Sequence, residues 1–223
     1  KDEHYEPGLV MHTNGWPTPT DTPSGSYFYH GENNEAYVGY VIPLDYKNPH
    51  LSPFDEFQKW KTHPAISKYL NGAERLSYGA RALIKGGLQS LPKLDFPGGL
   101  LIGDNAGMLN FSKIKGSHTA MKSGIIAGDH IYENINGELS SGITYEDKVH
   151  QSWIYTELYK SRNFGPIFHK FGALVGAGLN AIDQLIFRGN LPFTMNHSTP
   201  DHACLLKADE AKKIEYNKPD GVY

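Results

Sequence analysis

One segment constrains the fold of this chain more than any other: a short apolar stretch that ends abruptly at Gly103-Asp104. Residues 96–107, with the sequence FPGGLLIGDNAG, are typical of a buried strand that stops on a glycine and a carboxylate. The run from Gly116 to about Asn136 carries Ala and Ile residues roughly at helical spacing. The sequence therefore predicts a strand, a loop and a helix in succession.

This strand-loop-helix arrangement suits a flavin dinucleotide. The Asp104 carboxylate can accept hydrogen bonds from ribityl hydroxyls, and a helix N-terminus near Gly116 offers free N–H groups to flavin O2 or a phosphate. The candidate FAD-binding residues are Gly103, Asp104, Asn105, Ala106, Gly107, Gly116, Ser117, His118 and Thr119. The alternative is a surface strand-turn with a capping Asp, because Gly-Asp pairs are common. Local residues alone leave both interpretations open.

The remaining patterns predict further elements. Aromatic and β-branched residues predict a β-hairpin from 27–30 and 35–44, and residues 74–83 predict another strand. Capping signals and apolar spacing predict helices over 53–61, 64–72, 144–158 and about 166–187. The Pro- and Thr-rich opening to about Ser26 predicts an ordered loop, and an irregular tail is expected beyond Asn190.

Composition excludes several classes of protein. A formal net charge of -3 supplies no field for a polyphosphate backbone, so a nucleic-acid partner is not expected. A mean hydropathy of -0.47 is far from that of an integral membrane bundle, which leaves a protein that is soluble or lies on a membrane surface. The 11 histidines lack metal-ligand spacing, so no metal site is proposed, and the single Cys204 cannot alone hold an iron–sulfur cluster.

The segment 164–187 permits three interpretations. Residues 176–181 (GAGLNA) match G-x-G-x-x-A, but that fingerprint needs a preceding buried strand, and His169 and Lys170 interrupt any such strand. A helix explains the segment better, because its large apolar residues fall along one face. Periodicity alone leaves open whether this glycine-rich helix lies in a membrane interface or in a core.

Long ordered strings then resemble a known family. They are GWP at 15–17, LDY at 44–46, LSPF at 51–54, YGARA at 78–82, FPGG at 96–99, KIKG at 113–116, HTAMKSG at 118–124 and KPDG at 218–221. Together they resemble the electron transfer flavoprotein-ubiquinone oxidoreductases, from about Pro7 to Gly221. The sequence is similar to the part of that family between an N-terminal dinucleotide-binding fold and a C-terminal cluster domain.

The resemblance implies an enzyme that takes electrons from electron transfer flavoprotein and passes them to ubiquinone, using FAD and one 4Fe-4S cluster. It implies a peripheral, monotopic protein on the matrix face of the mitochondrial inner membrane or on a bacterial cytoplasmic membrane. The cluster is expected only in a missing segment or a partner chain, and a separate chain carrying the dinucleotide fold is a further expected partner. No protein side chain is expected to act as a catalytic acid or base.

The resemblance also assigns residues. The family's Gly-Gly pair beside the ubiquinone head group falls on Ser24 and Gly25, and Ser24 departs from it by adding a Cβ and a hydroxyl. The family often has Gly-Cys where this chain has Gly103-Asp104. The amphipathic segment coincides with the family's membrane-inserting part, which favours the interface interpretation. The expected membrane contacts are Phe168, Phe171, Leu174, Val175 and Leu185.

The expected fold class is α+β: a quinone-binding half plus the second part of an α/β FAD-binding flavoprotein domain. The expected domains are 1–73, a quinone-binding region with the hairpin; 74–137, the FAD-binding part; 138–190, a helical membrane-facing part; and 191–223, a tail leading to the absent cluster domain. The alternative function is a non-catalytic split subunit or remnant that acts as a structural module in a larger membrane assembly.

Overall fold

A computed structural model describes residues 4–137, 142–197 and 199–218 as a mixture of helices and two small antiparallel sheets. This mixture agrees with the predicted α+β class. The chain divides into two units, the first formed by 1–78 with 198–223 and the second by 79–197. Parts of the predicted domains lie outside the described residues, as does all of the KPDG string except Lys218.

The first unit contains a three-stranded sheet in the order β1-β2-β3, formed by β1 (Val10–Asn14), β2 (Gly25–His30) and β3 (Ala36–Val41). The β2-β3 pair confirms the predicted hairpin. The prediction of a loop over the first 26 residues is wrong for β1, which pairs with β2 from Val10 opposite Tyr29 to Asn14 opposite Gly25. Pro17, Pro19 and Pro23 lie beyond the end of β1 and Pro7 lies before its start, so none of them costs a ladder hydrogen bond.

Two predicted helices follow the sheet. They are α1 (Pro53–Lys61) and α2 (Pro64–Leu70), each with proline in its first turn. Ser52 caps α1, because its hydroxyl accepts a hydrogen bond from the Asp55 N–H at 3.3 Å. The core of this unit contains Phe28, Trp60 and Ile66, all almost fully buried. The Trp60 indole N–H donates to Thr13 Oγ1 at 3.1 Å and so ties α1 to β1.

The prediction of a strand over residues 74–83 is wrong. These residues have no regular secondary structure and are all exposed. Their aromatic and apolar content is suited to a strand, but no described segment pairs with them. A strand without a neighbour leaves its backbone groups to water, so composition alone does not form one.

The segment over residues 96–107, which carries the Gly103-Asp104 pair, lies in the second unit. Its strand is shorter than predicted: β5 (Gly99–Leu100) pairs with β4 (Asp95–Phe96). A 3₁₀ turn over Gly103–Ala106 follows, and the predicted helix is confirmed as α3 (Ser117–Ile135).

The predicted helix over 144–158 is two helices, α4 (Tyr145–His150) and α5 (Trp153–Ser161). The predicted capping pair is confirmed, because Thr144 and Asp147 form a reciprocal capping box at the start of α4. Ser152 separates the helices, since its hydroxyl caps α5 by accepting from the Ile154 N–H at 3.2 Å. Helices α3, α4 and α5 bury one core, which contains Leu94, Ala106, Met108, Ile126, Ala127, Tyr145, Val149, Ile154 and Leu158.

The segment predicted as one helix over 166–187 is a helical hairpin. Helix α6 (Phe164–Ala181) is interrupted at Gly172, whose φ of 71° and ψ of -178° are not helical. The two arms lie against each other, because a Cβ at Gly176 would lie 3.0 Å from Phe168 Cδ1 and 3.1 Å from its Cα. A π-helical turn over Ile182–Ile186 follows. The GAGLNA match therefore lies inside a helical arm with no strand before it, as favoured above.

Candidate functional site

The two predicted flavin-binding segments, 103–107 and 116–119, meet at the N-terminus of α3. An ideal Cβ at Gly116 would lie only 2.9 Å from Asp104 Oδ1, so the glycine permits this close approach. The Gly103 N–H donates to Ser123 Oγ at 3.0 Å, which fixes the 3₁₀ turn on α3. The structure therefore brings together residues that are 12 or more positions apart in the sequence.

The N-terminus of α3 is the candidate position for the ligand. Gly116 supplies no side-chain cap, so the N–H groups of the first turn have no side-chain acceptor there. Asp104 and Asn105 are exposed beside it, whereas Gly103, Ala106 and Gly107 are buried in the turn. A carboxylate acceptor and free amide donors are the groups that ribityl hydroxyls and a flavin carbonyl or phosphate require. The site fits the predicted cofactor, and the individual contacts stay predictions.

Two predicted side chains are already engaged. Thr119 is fully buried, and its hydroxyl lies 2.8 Å from both the Met108 and the Gly116 carbonyl oxygens. The His118 ring forms a hydrogen bond to the Glu157 carboxylate and stacks on Trp153 with an interplanar angle of 4°. These side chains position the start of α3, which leaves mainly its backbone N–H groups for a ligand.

Glu157 is the centre of a polar cluster that the sequence analysis missed. Its Oε1 accepts from Asn110 Nδ2 at 2.8 Å and lies 2.7 Å from His118 Nε2, and its Oε2 lies 3.2 Å from Lys113 Nζ. Burial raises the pKa of the Glu157 carboxyl, but the hydrogen bonds from Asn110, His118 and Lys113 outweigh it and lower the pKa overall. The partners come from separate segments, so no local spacing in the sequence indicates this cluster.

Ser24, at the predicted quinone site, belongs to a hydroxyl cluster. Ser24 Oγ lies 2.6 Å from Tyr40 Oη, forms a short hydrogen bond with Thr18 Oγ1, and donates to the Gly15 carbonyl at 3.0 Å. The Ser24 carbonyl oxygen also accepts from the Gly15 N–H at 3.2 Å. The hydroxyl that departs from the family pattern is thus held by the loop.

Gly25 opens β2 and lies between the two neighbouring strands. It faces Asn14 of β1 and Val41 of β3, and an ideal Cβ would lie 3.3 Å from the Thr13 carbonyl oxygen. A larger side chain at this position therefore has little room on the β1 side. The assignment of Ser24 and Gly25 to a quinone stays a prediction.

The α6 hairpin exposes a large apolar surface. Leu174 is 89% exposed, Leu185 78%, Val175 56% and Phe171 41%. Phe168 differs from these four predicted membrane contacts, because it is half-buried between the arms, where its ring meets Phe164 at 5.1 Å. Within the described ranges, no helix combines the length and the apolar character needed to cross a membrane.

Comparisons with known proteins point to one family. A family model described as "ETF-QO, ubiquinone-binding" matches residues 1–83. The electron transfer flavoprotein-ubiquinone oxidoreductase of Pseudomonas aeruginosa is 56% identical, and the match covers 97% of this chain and 40% of that protein. Mitochondrial proteins of the same name from Oryza sativa and Homo sapiens are each 46% identical; the matches cover 97% and 99% of this chain and 37% of each relative. The chain spans about two fifths of the length of these curated relatives.

Proposed function

The chain belongs to the electron transfer flavoprotein-ubiquinone oxidoreductase family, and we propose that it works within a membrane-surface oxidoreductase that passes electrons from electron transfer flavoprotein through FAD to ubiquinone. The observation that carries this proposal is the match of residues 1–83 to a ubiquinone-binding family model. The contact between Asp104 and the start of α3 supports the FAD part of it.

In this proposal the second unit holds part of the flavin. Asp104 accepts hydrogen bonds from the ribityl chain, and the free N–H groups at the start of α3 donate to a flavin oxygen or phosphate. Ser123 and Thr119 keep the two segments in place through their hydroxyl groups. When bound, FAD supplies the redox chemistry, so the protein contributes binding, orientation and electrostatics. A 4Fe-4S cluster takes four ligands, usually cysteines, and belongs to other residues of the assembly because this sequence has one cysteine.

The first unit is proposed to receive the ubiquinone head group beside Ser24 and Gly25. The test measures reduction of a short-chain ubiquinone by the whole protein with reduced electron transfer flavoprotein. Gly25→Val should raise KM for the quinone about tenfold or more, because the new side chain meets the Thr13 carbonyl and fills the space beside the sheet. Ala36→Val, on an exposed residue at the other end of the same hairpin, is the matched control. Equal KM values for the two variants would remove Gly25 from the quinone site.

Membrane association is proposed to use the apolar face of the α6 hairpin, on the matrix side of the mitochondrial inner membrane or on a bacterial cytoplasmic membrane. Burial of one exposed leucine stabilises the bound state by about 1.5–3 kcal/mol. Leu174→Glu with Leu185→Glu should therefore abolish flotation with neutral liposomes. Leu76→Glu with Ile135→Glu makes the same charge change at residues 73% and 79% exposed outside the hairpin, and should float like the parent. Flotation of the folded hairpin variant would contradict this proposal.

A further inference from the structure

A cationic cleft lies beside the α6 hairpin in the second unit. It has a volume of about 550 Å³, and its walls include Lys113, Lys160 and Arg188 together with Glu157. All three cationic residues are exposed to solvent. Asp104 is not among the lining residues, and the cleft adjoins the proposed flavin segments through the hydrogen bond between Glu157 and His118.

The backbone brings the cations together. An ideal Cβ at Gly189 would lie 2.1 Å from the Lys160 carbonyl oxygen, so only glycine allows the turn after α6 to approach the end of α5 this closely. Gln184 Nε2 also donates to the Lys160 carbonyl at 3.0 Å. Arg188 has a φ of 52°, a left-handed conformation that is uncommon for a residue with a side chain. The turn therefore holds Arg188 near Lys160 at a conformational cost.

The charge of the cleft is not balanced. Lys113 forms an ion pair with Glu157 at 3.2 Å, which satisfies one cation. Lys160 and Arg188 form no ion pair within the described part of the chain. Two like charges held on one wall repel each other, so an anion in the cleft would be stabilised.

An apolar groove adjoins the cationic cleft. This second space has a volume of about 420 Å³, and its apolar wall includes Phe164, Phe168, Ala177 and Leu185. It shares Ser112, Lys113 and Gln184 with the cleft. Leu185 also belongs to the exposed apolar face of the hairpin. The surface thus changes from hydrocarbon to positive charge across the position of Lys113.

We propose that this cleft and groove bind one anionic phospholipid. The headgroup phosphate lies among Lys113, Lys160 and Arg188, and an acyl chain lies along Phe168 and Leu185. Charge complementarity selects a lipid with net negative charge, and the adjoining groove selects a ligand that carries a hydrocarbon chain. The inference rests on the proposed membrane contact, which it deepens by naming the class of lipid.

The test compares binding of the whole protein to vesicles of phosphatidylcholine alone and to vesicles that contain phosphatidylglycerol. Each cation near an anionic surface contributes about a fivefold increase in partitioning, so Lys160→Gln with Arg188→Gln should lower binding to the anionic vesicles about 25-fold. Binding of this variant to neutral vesicles should not change. The increment is the additional binding to the anionic vesicles over the neutral ones. Lys212→Gln with Lys213→Gln, two exposed lysines outside the cleft, makes the same charge change and should retain most of this increment. Circular dichroism of each variant checks that the fold is kept.

The outcomes separate this inference from the membrane proposal. If the parent binds both kinds of vesicle equally, or if the two double variants lose the increment equally, the lipid site is wrong although the membrane proposal stands. If the parent binds neither kind, the membrane proposal itself fails. Competition by inorganic phosphate at constant ionic strength tests a soluble anion as the occupant. Loss of the increment in millimolar phosphate would overturn the lipid assignment, and we expect no loss.

Discussion

Asn180 and Phe164 are joined across the α6 hairpin: the Asn180 side-chain amide donates to the Phe164 carbonyl oxygen at 3.1 Å. The two residues lie eight positions after and eight positions before Gly172. In a continuous helix, residues 16 positions apart would be separated by about 24 Å. The hydrogen bond therefore closes the base of a hairpin whose apex is Gly172.

Gly172 should be the residue on which the hairpin depends most. Its φ of 71° with ψ of -178° lies in a region that is essentially restricted to glycine. Gly172→Ala should lower the free energy of unfolding by about 1–3 kcal/mol, as measured by urea denaturation. Gly178→Ala is the matched control, because Gly178 is exposed on the second arm and has no atom within 4 Å of its ideal Cβ. The control should be neutral or slightly stabilising, and equal destabilisation of both variants would contradict the role of the apex.

Arg162 should stabilise the segment after the hairpin. It is buried, and its guanidinium donates to the carbonyl oxygens of Gly189 at 2.7 Å, Leu191 at 2.5 Å and Phe193 at 3.2 Å. Arg162→Met removes the donors to the Gly189 and Leu191 carbonyl oxygens, whereas the Phe193 carbonyl keeps its hydrogen bond from Asn163 Nδ2 at 3.1 Å. We expect a loss of about 3 kcal/mol in the free energy of unfolding. Arg81→Met, at an exposed position, should change it by less than about 0.5 kcal/mol. If Arg162→Met lowered the free energy of unfolding no more than Arg81→Met does, other donors would have replaced Arg162.

Glu157 should contribute to acid sensitivity. Its pKa is lowered in the folded protein from the ordinary value of 4.5, so its stabilising effect is present above that value and is lost as the pH falls through the lower folded value. Unfolding measured from about pH 5 to pH 3 should show a weaker pH dependence in Glu157→Gln than in the parent. Glu74→Gln, at an exposed position, should keep the parent's slope. Identical slopes for all three proteins would rule out this contribution.

Tyr216 should stabilise the first unit through Glu56. Burial raises the pKa of Tyr216 to about 12, and the Glu56 carboxylate, which accepts from the phenol at 2.8 Å, adds to the rise. Stability from this neutral phenol is present below its ordinary pKa of 10 and is lost as the pH rises through about 12. Tyr216→Phe removes the donor from a buried carboxylate whose Oε2 has no hydrogen bond, and should cost about 1–3 kcal/mol.

Burial raises the pKa of Tyr145 to about 12 as well, so ultraviolet titration of Tyr216→Phe should lose one of two phenols with this raised pKa and keep the other. Tyr132→Phe, at a residue 64% exposed, is the control for both measurements. Unchanged unfolding of Tyr216→Phe would mean that the contact with Glu56 does not stabilise the unit.

Asp104 should contribute to flavin affinity. Loss of one charged hydrogen-bond acceptor costs about 1.5–3 kcal/mol, so Asp104→Ala should weaken FAD binding roughly 10- to 150-fold. The measurement titrates FAD into the whole protein after flavin removal. Asp129→Ala, at an exposed position on α3, makes the same change away from the helix start and should bind FAD like the parent. Equal affinity of the two variants would remove Asp104 from the flavin site.

Local chemistry in the sequence predicted helix starts well. Ser52 and Thr144 cap α1 and α4 as expected. Such caps can be predicted because the capping side chain accepts a hydrogen bond from an N–H group only three residues later. Strands were less predictable, since β1 depends on pairing with residues 11 to 19 positions away and the 74–83 segment has no such partner. The break at Gly172 was also missed, because apolar periodicity continues through a single non-helical residue.

The candidate sites also differ in whether their contacts are local in the sequence or depend on tertiary packing. The meeting of Asp104 with the start of α3 could be predicted, because one strand-loop-helix connection brings them together. The Glu157 cluster could not be predicted, because Asn110 and His118 lie 47 and 39 positions before Glu157 and only the packing of helices unites them. The cationic cleft needed the structure for the same reason, since Gly189 must contact Lys160 before Arg188 lies near it.

The turn at Gly172 also decides the sidedness of any membrane contact. A hairpin returns the chain to the side from which it came, so the segments before Phe164 and after Ala181 stay on the same side of a bilayer at any depth of the apex. No charged residue of those segments then has to cross the hydrocarbon layer, which would cost about 2.5–3.5 kcal/mol or more per Arg or Lys. Under the proposed membrane association, this face would accordingly enter and leave the bilayer from one leaflet.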